Sequence, residues 1–173
     1  TLSGFALARR SQADIDSDGD FDGRLENTDS ETEADQWLIG AGLDGKTGAI
    51  DHRFRASVNE VTRDNVLASA LQDSSTGERA QISWSPAYAV DWHQFAGLVS
   101  LLREAYDRGD VQFGGFTNTS EAFESVSIAA QYGIEIGDMR LEATARQDFN
   151  DGRFEDAATW RAGASYQFPQ LEA

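Results

Sequence analysis

Apolar and polar residues alternate with a period of two from one end of this chain to the other, and this limits its fold more than any other feature. In "RAQISWSPAY", Ala80, Ile82, Trp84, Pro86 and Tyr88 fall on one side of an extended backbone, with Arg79, Gln81, Ser83 and Ser85 on the other. "SVSIAAQYGIEI" sets Val126, Ile128, Ala130, Tyr132, Ile134 and Ile136 against Ser125, Ser127, Gln131 and Glu135. "MRLEATARQ", "ATWRAGASYQF", "RFRASVNEV" and "WLIGAGL" repeat the pattern. Successive side chains of a strand point to opposite faces, so each run reads as a strand with one apolar face. "FAGLVSLLREAY" stands apart, because Phe95, Leu98, Val99, Leu102 and Tyr106 have helical spacing. We read it as a strand, since strands flank it and only Val90 and Asp91 separate it from the preceding run. "RDNVLASALQD" reads as part of a loop that can form a short helix.

The result is about eight strands, many of about ten residues or more. That exceeds the ~5–6 residues usual in globular sheets and approaches the ~9–11 that cross a bilayer when tilted. Short connections at "DGKTGA", "VD" and "GD" alternate with long ones at 13–33, about 63–77, about 107–120 and about 150–156. Short turns on one side and long loops on the other are the pattern of an outer-membrane barrel, which closes because lipid cannot satisfy a free sheet edge. Aromatic residues fall near strand ends: Trp37 and Trp160 toward the long loops, and Tyr88, Trp92, Tyr166 and Phe168 toward the short turns. The other face carries Arg53, Arg55, Arg140, Arg146 and Arg161, which suits a wet lumen and pairing with Glu104, Glu135 and Glu142. The expected fold is therefore all-β: an antiparallel up-and-down transmembrane β-barrel segment over residues 1–173, with long extracellular loops and short periplasmic turns. A soluble β-sandwich also alternates. Strand length, loop asymmetry and the terminal aromatics favour the barrel.

Charge narrows the partners. Thirty acidic residues against 14 basic ones leave a net charge of −16. Nucleic acid and anionic lipid both call for clustered Lys and Arg, so neither is expected as a partner. Divalent cations are. There is no cysteine, hence no thiolate metal site. Residues 13–33 hold nine acids against Arg24 alone, which marks a solvated loop. Within it, "ADIDSDGDFDGRLE" places Asp14, Asp16, Asp18 and Gly19 where an EF-hand loop has its positions 1, 3, 5 and 6. Position 12, which should be a bidentate Glu, is Leu25, and Glu26 follows one residue late. An EF-hand is thus excluded. A Ca2+ site ordering the loop, with ligands drawn from Asp14, Asp16, Asp18, Asp20, Asp22 and Glu26, remains open beside the reading of a solvated acidic loop. His52 and His93 lie on different strands with no second ligand at metal spacing. No G-x-S-x-G or Walker motif is present, and we expect no enzyme activity.

The last third also resembles a known family. Leu141, Ala143, Arg146 and Asp148, then Asn150, Asp151, Phe154, Asp156 and Ala157, then Thr159, Trp160, Arg161, Ala164, Ser165, Tyr166 and Phe168 are similar to a hairpin of TonB-dependent outer-membrane receptors of Gram-negative bacteria. The acidic loop resembles that of the vitamin B12 receptor branch, whose aspartate-rich loops bind calcium. The resemblance is looser before residue 80. It implies a plugged barrel of roughly 22 strands, of which this chain is a slice without the plug domain. It also implies outer-membrane lipid as solvent, TonB acting through that plug, and import of a scarce small molecule such as cobalamin or a ferric siderophore. A passive porin-like small barrel and a soluble calcium-binding β-sandwich are the alternatives.

Overall fold

The structure is a computed structural model that describes residues 1–17, 26–111, 118–152 and 154–168, apart from the side chains of 15–17 and 26–29. Eight strands form one antiparallel sheet: β1 Leu2–Ser17, β2 Glu26–Thr47, β3 Ile50–Leu67, β4 Ala70–Val90, β5 His93–Asp110, β6 Thr119–Ile136, β7 Met139–Asn150 and β8 Ala157–Tyr166. Their spatial order follows the sequence, an up-and-down meander in which each strand pairs with the next. Among the described residues β1 and β8 do not pair, so each leaves one edge open.

The register puts all the alternating runs on a common face. Leu43 lies opposite Phe54, Phe54 opposite Trp84, Trp84 opposite Val99, and Val99 opposite Ile128. In β5 the helical-looking spacing dissolves: Phe95, Val99 and Leu101 join this apolar face, while Leu98, Leu102 and Tyr106 point the other way. Both faces of β5 carry apolar residues, and that mixture produced the false helical period. "RDNVLASALQD" is also strand. β3 and β4 pair up to Leu67 and Ala70, joined only by Ala68 and Ser69. The long connection expected at 63–77 is therefore a tight turn at the tip of two long strands. Polar residues such as Asp64, Asn65, Asp73 and Ser74 made this stretch look like a loop, yet they bond across the ladder instead: Asn65 donates to Asp73 (2.7 Å) and Ser74 to Asp64 (2.6 Å). Similarly, β1 and β2 extend into the acidic segment, β1 to Ser17 and β2 from Glu26.

Burial is inverted relative to a water-soluble domain. The described residues include no buried hydrophobic side chain, and Ile39, Leu101 and Ile128 are 57%, 50% and 47% exposed. The residues that are buried (Gly40, Gly42, Ser100, Asp110, Ser127 and Gly133) all lie on the polar face. The polar face is thus the enclosed one, and the apolar face is left bare.

Candidate functional site: the two faces and the acidic loop

The apolar face is a band with sharp limits. It runs from Ala80 to Val90 on β4 and from Val126 to Ile136 on β6, then stops at charge: Arg10, Asp35, Glu60, Glu78, Arg103 and Glu124 on β1 to β6. The band slants across the sheet. Arg10 faces Asp35, but Glu60 faces Trp37, two residues lower on β2. Arg103 faces Ala80, again two residues below Glu78. The lower limit descends in step. Ile50 faces Tyr88 while β4 continues to Val90, and His93 faces Ile134 while β6 continues to Ile136. A drop of about one residue (~3.3 Å) per ~4.8 Å strand spacing corresponds to strands tilted by about 35° from the band's normal. With that tilt, about ten residues span ~27 Å, close to the ~25 Å apolar belt of an outer-membrane barrel.

Aromatic side chains line both limits. At the upper one, Trp37 donates from Nε1 to Glu60 (3.1 Å). Toward the lower one, His52 and Phe54 stack with Trp84, which sits midway between Glu78 and Val90 on β4, with centroids 6.0–6.4 Å apart, and Trp84 Nε1 donates to His52 Nδ1 (3.3 Å). His93, Phe95 and Tyr132 form a second cluster, with His93 Nδ1 and the Tyr132 hydroxyl 2.7 Å apart. Both histidines are therefore held among aromatic rings. Such rings present an apolar body and a polar tip, the chemistry that suits a lipid–water boundary.

On the polar face most of the described arginines are paired. Arg140 meets Glu135 at 3.4 Å and Arg161 meets Glu142 at 3.3 Å, as the alternation led us to expect, whereas Glu104 is met at 3.5 Å by Arg79, which was not among the expected partners. Arg53 and Arg55 instead share Asp44, at 3.4 and 2.8 Å. Arg146 pairs with Asp148 at 2.8 Å, and Ser127 donates to the same carboxylate. Asp44 and Asp148 were missed because each stands in a short segment that read as turn or motif. Asp44 comes to face Arg53 only with the register, whereas Arg146 and Asp148, two residues apart on β7, share a face by parity alone. Further up, Tyr106, Phe123 and Phe154 gather on this same face. For Tyr106 and Phe123 the signal was present as aromatics falling out of phase with the apolar run, whereas Phe154, in the β7–β8 connection, is brought there by the fold alone.

The proposed calcium ligands are only partly placed. Asp14 is exposed on β1, directly opposite Glu31 on β2. The enclosed Oε1 of Glu31 has no hydrogen-bond partner among the described residues. Asp16 lies in β1, and Glu26 lies opposite Ser17 in β2, so these backbone positions are neighbours across the hairpin. Asp18, Asp20 and Asp22 lie outside the described residues. Among the described residues, no group of three or more His, Asp or Glu is arranged to hold a metal ion. Beside this segment Arg10 donates to Glu33 (2.9 Å) and lies near Asp35, and that hydrogen bond and charge push its pKa above the ordinary value.

Against known proteins, the chain matches no family model, and no curated protein matches it either.

Proposed function

We propose that this chain is a wall segment of an outer-membrane β-barrel, of the TonB-dependent receptor type, that imports a scarce small molecule and performs no chemistry on it. One observation carries the reading: a bare apolar band about ten residues deep, slanted by about one residue per strand, on the reverse of an enclosed face lined with ion pairs. In water the band would be a large exposed apolar surface of the kind soluble monomers avoid. In lipid it is the expected exterior, and the paired charges become a lumen wall. The ligand contacts would come from the polar face and from the long strand tips beyond the band. TonB would act through a plug domain. Cobalamin and ferric siderophores remain the ligand classes implied by the resemblance, and Ca2+ would order the loop around Asp16 and Asp18.

The test is the depth of the tryptophans. Trp160 and Trp92 are 83% and 57% exposed on or beside the apolar face. The protein should fold only with detergent or lipid, and bilayers with brominated acyl chains should quench this fluorescence. A monomer that folds in buffer without detergent, with fluorescence insensitive to bromine, would remove both membrane readings and leave the sandwich.

A passive small barrel is the second reading. Eight strands staggered by about one residue each suffice to close a barrel filled by its own side chains. The chain has no cysteine, so cysteines placed on β1 and β8 report closure directly. A disulfide between them in the folded protein supports the small barrel; none supports a wall segment with further neighbours.

A further inference from the structure

We propose that the cleft between Tyr106, Phe123 and Phe154, on the polar face beyond the apolar band, binds an organic cation, with Glu104 as its counter-charge. The site deepens the receptor reading by naming the ligand class, and rests on it for its biological meaning.

The cleft is built from two rungs of the β5–β6 ladder. Tyr106 faces Glu121 on one rung, and Glu104 faces Phe123 two residues below. Aromatic and acidic side chains thus alternate as on a chequerboard. The wall comes from the β7–β8 connection, where Phe154 meets Phe123 edge to face, with centroids 5.1 Å apart and planes at 86°. The connection is pinned on both sides. Asn150 N donates to Asp156 Oδ1 (2.9 Å) and Asn150 Nδ2 to the Glu155 carbonyl (2.7 Å). Asp151 N donates to the Glu124 carbonyl (3.1 Å), and Glu124 N donates to Asp151 Oδ2 (2.9 Å).

The cavity between these groups is about 250 Å³, enough for a small alkylammonium group. Its chemistry selects charge. The faces of aromatic rings are the negative part of their quadrupole and attract cations. Phe154 is 58% and Tyr106 43% exposed, so their rings are open to a ligand. By sequence the same connection carries Asp151, Glu155 and Asp156 against Arg153, so its charge is negative on balance. Arg79 lies 3.5 Å from Glu104, with both side chains about half exposed. Such a loose surface pair contributes little and yields to an incoming cation. Among the described residues, an anionic ligand would meet the Glu104 and Glu121 carboxylates here, while the nearby arginines are engaged, Arg79 with Glu104 and Arg108 with Asp73 (3.6 Å).

The test is calorimetric titration of tetramethylammonium, with tert-butanol as the uncharged analogue of similar shape. The protein is the full chain folded in non-ionic detergent, and micelles alone are the blank. Tetramethylammonium should bind saturably and at least about tenfold tighter than tert-butanol, with affinity falling as salt rises. Phe123→Leu and Phe154→Leu keep apolar volume but lose the ring, and each should weaken binding about fivefold. Glu104→Gln should weaken it about threefold. Circular dichroism of each variant checks that the sheet is intact. Equal affinity for tert-butanol, unaltered binding in both leucine variants, or no saturable heat would overturn the proposal. None of these outcomes bears on the brominated-lipid test, so the two readings fail separately.

Discussion

Replacing Ala130 by arginine separates a lipid-facing wall from every other use of this sheet. Ala130 sits on the apolar face of β6, with Glu124 six residues above it and Ile136 six residues below. With a tilt of about 35° each residue advances ~2.7 Å along the band's normal, so the position lies ~16 Å from either limit, which in the proposed wall is near the bilayer midplane. Arginine there should cost about 2–4 kcal/mol of folding free energy. Two neighbours act as controls. Gln131→Arg lies one residue away on the polar face and should cost no more than about 1 kcal/mol, since Arg161 and Glu142 already show that this wall accepts charge. Ala122→Arg lies on the apolar side but two residues beyond Glu124, outside the band, and should be close to neutral. The assay is equilibrium folding into phospholipid vesicles against guanidinium, followed by tryptophan fluorescence. Equal costs for Ala130→Arg and Ala122→Arg would refute the band, and equal costs for Ala130→Arg and Gln131→Arg would refute the assignment of faces. A soluble sheet with its apolar face in water would be indifferent to all three.

Other consequences follow from single positions. Ala68 and Ser69 turn the β3–β4 tip with φ of 49° and 66°, a left-handed pair that favours Asn-Gly. Ala68→Asn with Ser69→Gly should therefore raise stability by about 1 kcal/mol in the same vesicle assay. Ser127 is 8% exposed, donates to Asp148 and accepts from Arg146 (3.1 Å). Ser127→Ala should cost about 1–2 kcal/mol by chemical denaturation, more than truncation of any exposed polar residue on the strand tips. Calcium titrated into the wild type should release heat that an Asp16→Ala plus Asp18→Ala variant lacks; a wild type without calcium-dependent heat removes the cation from the loop.

Much of the fold was legible because a strand advertises itself by parity. Ile82, Trp84 and Tyr88 must share a face whatever surrounds them, and the same holds for Ile128, Ala130 and Tyr132. The eight strands, their antiparallel order and the two kinds of face followed from that local rule and from short turns at Gly48 and Gly137. The tips were less legible. Asp64, Asn65, Asp73 and Ser74 are loop formers by composition, and only their partners across the ladder convert them to strand. The acidic segment was recognised as unusual from charge alone, yet its ligand set depends on how close the carboxylates of β1 and β2 come, which spacing along a chain does not determine.

By itself, the sequence determined the alternation, the excess of negative charge and the absence of any thiolate chemistry, because these are properties of residue order and composition. Register was a matter for the tertiary structure. It aligned the apolar runs into one slanted band, set Asp44 beside Arg53 and Arg55 and Ser127 opposite Asp148, and brought Phe154 over Phe123 from a different hairpin. The physical reason is that pairing between strands fixes positions modulo two residues for facing but leaves the stagger free. Stagger sets both the tilt of a membrane wall and the meeting of side chains far apart in the chain.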